Sequence, residues 1–111
     1  IRDIHLAIDY LDGIATRFGL PVTFHLNPTY VPAGTPLASA LQRGEYTPPT
    51  LQDVVVALRH AEGKNLIMNV GLNDEGLAVP GGSFLRPGDE DLRAILDQFN
   101  HDQNYNALPS A

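Results

Sequence analysis

The amino-acid sequence predicts an α/β fold in which parallel β-strands alternate with α-helices. Two short segments alternate apolar and polar residues as strands do, and four segments carry apolar residues at helical spacing beside capping residues. Strands separated by helices indicate right-handed parallel crossovers. Because two strands are too few for an independent parallel sheet, we predict a partial (βα) barrel-type fragment with a few parallel strands and three to four helices.

The first helix is predicted from Arg2 to Phe18, and the first strand over residues 21–27. The helix repeats apolar residues every three or four positions, at Ile4, Ile8, Leu11, Ala15 and Phe18. Gly19 suits a left-handed C-terminal cap, and Pro21 cannot continue a helix. The strand places apolar residues on one face (Val22, Phe24 and Leu26) and polar residues on the other (Thr23, His25 and Asn27).

Two helices are predicted in the middle of the chain. The first is short, starts at Thr35-Pro36 and ends at Gly44, with a hydroxyl N-cap and a proline at the first helical position. The second starts at Thr50, which has Asp53 three residues on as in a capping box, and ends at Gly63. The predicted buried face of this second helix is Val54, Val55, Leu58 and Ala61.

The rest of the chain predicts one more strand and one more helix. Residues 64–71 alternate again, with Leu66, Met68 and Val70 on one face and Asn65, Ile67 and Asn69 on the other. A loop over residues 72–88 leads to a helix over residues 89–101 with an acidic first turn. We therefore expect a single α/β domain over residues 1–103, the C-terminal part of a larger enzyme, and a flexible tail over residues 104–111.

Composition excludes several classes of function. The net charge of −6 argues against nucleic-acid binding through a basic surface. The chain has no cysteine, so these residues form no disulfide, zinc ribbon or cysteine-ligated cluster. No apolar run approaches the length of a membrane span and no signal peptide is evident. We expect a cytoplasmic protein with no membrane partner.

Four residues are candidates for contact with a substrate or cofactor: His25, Asn27, Tyr30 and Asn69. In a βα barrel, functional residues lie at the C-terminal ends of strands and in the following loops. The polar faces of the two strands, Asn65 included, would then point into the barrel while the apolar faces pack under helices. The alternatives are that these polar side chains bond to backbone or face water, and that Tyr30 packs locally in its proline-rich loop.

Other motifs predict no catalytic residue and no metal site. The four histidines lack the HxH or HExxH spacing of metal ligands. The stretch Pro80-Gly81-Gly82-Ser83 exposes backbone amides but lacks the GxxxxGK[ST] pattern of a phosphate-binding loop, and no serine lies in a G-x-S-x-G turn. No cofactor is assigned to the residues of this chain.

One stretch of the chain carries a family resemblance. The sequence HLNPTYVPAGTPL followed by GEYTPP resembles the late barrel of radical SAM proteins in the family of the Elongator catalytic subunit, and is most similar to the archaeosine-biosynthesis branch. The resemblance covers residues 20–72. It implies an oxidoreductase parent that cleaves S-adenosylmethionine (SAM) with a [4Fe–4S] cluster. The partner of that parent would be small-molecule SAM or an RNA substrate, and its process would be RNA modification. The CxxxCxxC motif that binds this cluster is absent here.

Two hypotheses follow. In the first, this chain is the C-terminal region of a radical SAM enzyme, contributes barrel wall and substrate-side loops, and is not active alone. In the alternative, it is a stand-alone acidic α/β binding or interaction module without catalysis. A partial barrel exposes sheet edges and apolar surface, so we also expect the isolated chain to associate as a homodimer.

Overall fold

The computed structural model describes residues 2–73 and 76–109 as a mixed α/β fold with four α-helices and a two-stranded parallel sheet. The elements are α1 (Arg2–Phe18), β1 (Thr23–Leu26), α2 (Pro36–Gln42), α3 (Leu51–Ala61), β2 (Ile67–Val70) and α4 (Glu90–Asp102). The predicted order of helices and strands is confirmed.

Local capping explains where α2 and α3 begin. Thr50 and Asp53 form the predicted capping box: the Asp53 amide donates to Thr50 Oγ1 at 3.1 Å, and the Thr50 amide donates to Asp53 Oδ2 at 2.9 Å. Thr35 Oγ1 accepts from the Ala38 amide at 3.2 Å, ahead of the proline that starts α2. Each cap uses amides that have no partner inside the helix, so each fixes the first turn.

One hydrophobic core lies on one face of the sheet. The two strands pair in register, Thr23 with Ile67 and Leu26 with Val70 at the two ends. Helices α1, α3 and α4 all contribute to the core that covers this face, whose buried members include Ile8, Leu26, Val55, Leu58, Met68, Val70, Leu96 and Phe99. The opposite face, which we name the open face, presents exposed residues at Thr23, His25, Ile67 and Asn69. The predicted assignment of apolar residues to the helix-covered face is thus confirmed for Leu26, Met68 and Val70.

The outer edge of β2 is closed by two side-chain amides. Gln103 donates from Nε2 to the Met68 carbonyl at 2.7 Å and accepts the Met68 amide at 3.0 Å. Asn100 repeats this pairing with Val70, at 2.9 and 2.8 Å. Gln103 ends α4 in a left-handed conformation (φ 54°). The two amides take the place of a third strand, so the backbone of β2 is paired on both sides.

The outer edge of β1 is open. The Ile67 amide donates to the Val22 carbonyl, and the Gly71 amide donates to the Leu26 carbonyl. Since hydrogen bonds alternate along a parallel strand, Thr23 and His25 direct their backbone N–H and C=O away from β2. Within the described part of the chain, these four groups have no hydrogen-bond partner.

A smaller region, the α2 lobe, consists of residues 31–46 and 77–82. It is held by backbone bonds: the Val31 amide donates to the Gly82 carbonyl at 2.9 Å, and the Val79 amide donates to the Val31 carbonyl at 2.8 Å. Pro32 and Ala78 form an isolated antiparallel bridge beside them. Helix α2 itself has no buried residue. Helix α2 is therefore held beside the core by this backbone clamp and not by a buried face of its own.

The end of the chain differs from the predicted tail. Residues 105–107 form a 3₁₀ helix, Leu108 is buried, and the ring of Tyr105 packs edge-on against Phe99. The Arg59 guanidinium donates to the carbonyls of Tyr105, Leu108 and Pro109 at 2.7–3.2 Å. Apolar burial and one arginine thus dock residues 104–109 onto α3 and α4, while residues 110 and 111 lie outside the described residues.

Among the helices described, none is both long enough and apolar enough to cross a membrane.

Candidate functional site

A cavity of about 470 Å³ lies at the carboxyl end of β1. Its apolar wall comes from α1, β1 and α3, through Ile4, Leu26, Val54 and Ala57. Its polar rim comes from the loops after β1 and before α3, through Asn27, Thr29, Thr47, Thr50 and Asp53. The volume is within the range of small-molecule sites, and the carboxyl ends of parallel strands are where α/β proteins bind ligands.

The charge of the cavity lining favours some ligands over others. No lysine, arginine or histidine lies among its described lining residues, and its ionisable residue is Asp53. The N-terminus of α3, which could otherwise receive an anion, is already satisfied by the Thr50–Asp53 capping box. The cavity therefore suits a neutral or cationic molecule with an apolar body and a few hydrogen-bonding groups.

Three of the four predicted site residues lie together on the open face. His25 and Asn69 are direct partners in the β1–β2 register, and Asn27 follows His25 by two residues at the rim of the cavity. All three side chains are exposed, and none donates or accepts a hydrogen bond within residues 2–73 and 76–109. Their amide and imidazole groups are available to a ligand.

Gly71 allows Asn27 to lie across the end of the sheet. A Cβ atom at Gly71 would overlap Asn27 Oδ1, and it would come within 3.4 Å of Asn27 Cγ. The absence of a side chain at residue 71 thus lets the Asn27 amide rest against the end of β2. Sequence reasoning treated Gly71 as the end of a strand and missed this contact, which depends on the pairing of the two strands.

Tyr30 and Asn65 do not belong to the open face. Tyr30 is half-buried and packs against the hydrophobic core, as its local-packing alternative predicted. The side chain of Asn65 donates from Nδ2 to Thr16 Oγ1 at 2.7 Å, and its backbone N–H donates to Asp12 Oδ1 at 2.7 Å. The prediction that Asn65 points into a barrel is wrong, because β2 begins only at Ile67 and Asn65 ties the preceding turn to α1.

A second polar cluster joins α1 to α3 away from the cavity. The rings of His5 and His60 stack with centroids 4.1 Å apart and planes 9° from parallel. His60 Nε2 lies 2.8 Å from Asp9 Oδ1, and Lys64 Nζ lies 3.3 Å from the same oxygen. The His60 hydrogen bond is the main reason that the pKa of Asp9 lies below its usual range. Sequence reasoning tested these histidines only as metal ligands and missed the cluster, although His5 and Asp9 have the i, i+4 spacing of helix neighbours.

Desolvation, followed by the neighbouring His60, lowers the pKa of His5. His5 Nε2 is buried and has no hydrogen-bond partner in the described structure, so a proton there would lack an acceptor. No group of three or more His, Cys, Asp or Glu side chains in the described residues could hold a metal ion. The cluster therefore acts as a polar bridge between two helices.

Comparison with known proteins gives no relative for this arrangement: no protein-family model, no curated protein and no solved structure matches the chain. The resemblance to radical SAM proteins stays a prediction from the sequence.

Proposed function

We propose that this chain is the ligand-binding wall of an α/β protein, and that the cavity at the carboxyl end of β1 binds a small neutral or cationic molecule. The observation that carries the proposal is the cavity at the carboxyl end of β1, which combines an apolar wall from α1, β1 and α3 with the unused side-chain amide of Asn27 at its rim. Polar side chains at the carboxyl ends of parallel strands are the usual ligand contacts of α/β proteins.

A partial barrel is the architecture we propose for this wall. Three helices share one core on the same face of the sheet, as helices outside a barrel do, and the open face would then be the inside. The closed edge of β2 makes it the last strand of the sheet. Any further strand, from a longer parent or from a second copy of this chain, would therefore add beside β1.

The specific form of the proposal comes from the sequence resemblance: the parent is a radical SAM oxidoreductase, and SAM is the ligand. The sulfonium cation and planar adenine base of SAM agree with a cavity that has apolar walls and no cationic side chain among its described lining residues. The remaining SAM contacts, including those to its carboxylate, would come from the N-terminal half of the parent. The [4Fe–4S] cluster does not fit the residues of this chain, since there is no cysteine and the described residues offer no group of metal ligands. No chemical step of this chain runs through the cluster.

The alternative is a stand-alone acidic α/β module that binds a neutral molecule and catalyses nothing. It is favoured by two features that cover one side of the chain with its own residues. Asn100 and Gln103 cap the edge of β2, and Arg59 docks residues 104–109 over α3 and α4. Both forms place the ligand in the same cavity.

Titration followed by ¹H–¹⁵N NMR tests the proposal, with SAM, adenosine and ATP as probes. We expect SAM and adenosine at millimolar concentration to shift the amide signals of Asn27, Thr29 and Ala57, and ATP to shift them far less because of its charge. Tighter binding of SAM than of adenosine supports the radical SAM form, and equal binding supports the stand-alone module. Unmoved site signals with both SAM and adenosine would overturn the proposal.

A pair of variants makes the test specific. Asn27→Ala removes an amide at the rim of the cavity and should weaken adenosine binding by about tenfold, the effect of one lost hydrogen-bonding group. Asn104→Ala removes an exposed amide at the far end of α4 and should leave binding unchanged. Equal effects of the two substitutions would place the ligand somewhere other than the cavity.

A further inference from the structure

We infer that two copies of this chain pair through the open edge of β1, antiparallel, to form a continuous four-stranded sheet. The first argument is the set of free backbone groups. Thr23 and His25 each direct an N–H and a C=O outward with no partner in the described residues. An unpaired strand edge is a template for another strand. Strand β1 contains no charged residue and no proline, the two side-chain features that commonly block such pairing.

The second argument is that this edge is complementary to itself. The outward-facing residues Thr23 and His25 are placed symmetrically about Phe24. A two-fold axis at Phe24 puts Thr23 opposite His25 of the second copy, and each such pair exchanges two backbone hydrogen bonds. Four bonds then form, and they use every outward group of both strands. The β1 edge of a second copy therefore pairs with the β1 edge of the first with no backbone group left over.

The third argument is that the pairing stops at two copies. The outer edge of β2 is occupied by Asn100 and Gln103, so it offers no backbone group to a third chain. One open edge and one closed edge produce a closed two-fold dimer and not a growing sheet. A partner strand from an unrelated protein would satisfy the same hydrogen bonds, but it would not be selected by the symmetry about Phe24.

The pairing also enlarges the open face. Thr23 and His25 lie on that face, so the dimer sets Thr23 of the second copy beside His25, on the side away from Asn69. The open faces of the two copies become one polar surface across the four strands. The dimer can fail while ligand binding in the cavity stands, because the cavity lies at the carboxyl end of β1 and its lining includes neither Thr23 nor His25.

Sedimentation of the purified chain over a range of concentrations tests the association. We expect a monomer–dimer equilibrium with no larger species. Thr23→Pro removes an outward N–H without touching the β1–β2 ladder, and thus removes two of the four interfacial bonds in the dimer. It should raise the dissociation constant by at least about tenfold. Thr23→Val keeps the N–H and should dimerise as the parent chain does. A chain that stays monomeric at high micromolar concentration would overturn the inference, as would a Thr23→Pro variant that dimerises like the parent.

Disulfide trapping tests the register and does not depend on how well Thr23→Pro folds. The chain has no cysteine, so Phe24→Cys carries a single thiol. In the inferred register the two copies of residue 24 form a non-hydrogen-bonded pair with Cα atoms about 4.5 Å apart, within disulfide reach. Val22→Cys is the control, because its copies would lie about 13 Å apart along the strand. Rapid cross-linking of Phe24→Cys alone supports the pairing, whereas equal rates, or a faster Val22→Cys, would contradict it.

Discussion

The core and the α2 lobe of this chain are stabilised by different means. The core places Phe99, Leu58 and Met68 out of contact with solvent in one cluster shared by three helices and the sheet. The α2 lobe has no buried residue in its helix and is attached through the backbone bonds between Val31 and residues 79 and 82. The comparison shows that a short helix in an α/β chain can be positioned by a clamp of hydrogen bonds when its apolar stripe is too small to bury. Substitutions in the two regions should therefore differ in size and in kind.

The largest difference is expected between Phe99 and Leu41. Phe99→Ala deletes a fully buried ring that also supports Tyr105, and it should lower the free energy of unfolding by about 3–5 kcal/mol. Leu41→Ala shortens a half-buried side chain in α2 and should lower it by about 1 kcal/mol. Urea unfolding followed by circular dichroism measures both. Similar losses for the two variants would show that the lobe is packed as tightly as the core.

The clamp of the lobe is tested at Gly82. A Cβ atom at this residue would lie 2.8 Å from Val79 Cγ2 and 2.9 Å from Val31 Cβ, in a site closed by the Val31 carbonyl. Gly82→Ala should therefore destabilise the chain by about 2 kcal/mol through overpacking. Gly13→Ala is the matched control, because no atom lies within 4 Å of that position in α1 and alanine favours helix by about 1 kcal/mol. Thermal unfolding of both variants should shift in opposite directions, and a neutral Gly82→Ala would show that the clamp is loose.

The closed edge of the core is tested at Asn100. Asn100→Ala leaves the amide and carbonyl of Val70 without their partner, which should cost about 1–2 kcal/mol. Gln98→Ala, on the exposed side of the same helix, loses a bond only to Asp102 and should cost far less. The free energy of unfolding in urea distinguishes them. We also expect Asn100→Ala to form species larger than a dimer, because the edge of β2 becomes available to a strand of another copy. If the variant is stable and forms no such species, Asn100 does not protect this edge against association.

The sequence predicted the order of helices and strands because the signals for them are local. The Thr50–Asp53 cap joins residues only three positions apart, and the alternation of β1 lies within four residues. The hydrogen bonds from Asn100 and Gln103 to the outer edge of β2 join residues 30 and 35 positions apart, so no local sequence pattern predicts them. The same limit applies to the site. His25 and Asn69 could be proposed from alternation alone, whereas the contact of Asn27 with Gly71 and the cavity beside it required the strand register and the position of α3.

The smallest effect expected is the pH dependence that His5 contributes to the packing of α1 on α3. Desolvation and His60 hold the pKa of His5 below its ordinary value of 6.5, so the folded chain takes up this proton less readily than the unfolded chain. The stability that His5 contributes is therefore complete above pH 6.5 and is lost as the pH falls from 6.5 through the lower folded pKa. The lowered pKa of Asp9 affects stability in a separate pH range, below pH 3.8, where this carboxylate becomes protonated. We expect the midpoint of urea unfolding to fall between pH 7 and pH 5.5 more steeply in the parent chain than in His5→Asn. His101→Asn, which changes an exposed histidine in α4, should keep the parent slope; if it flattens the profile as much as His5→Asn does, the stacked pair is not the source of the pH dependence.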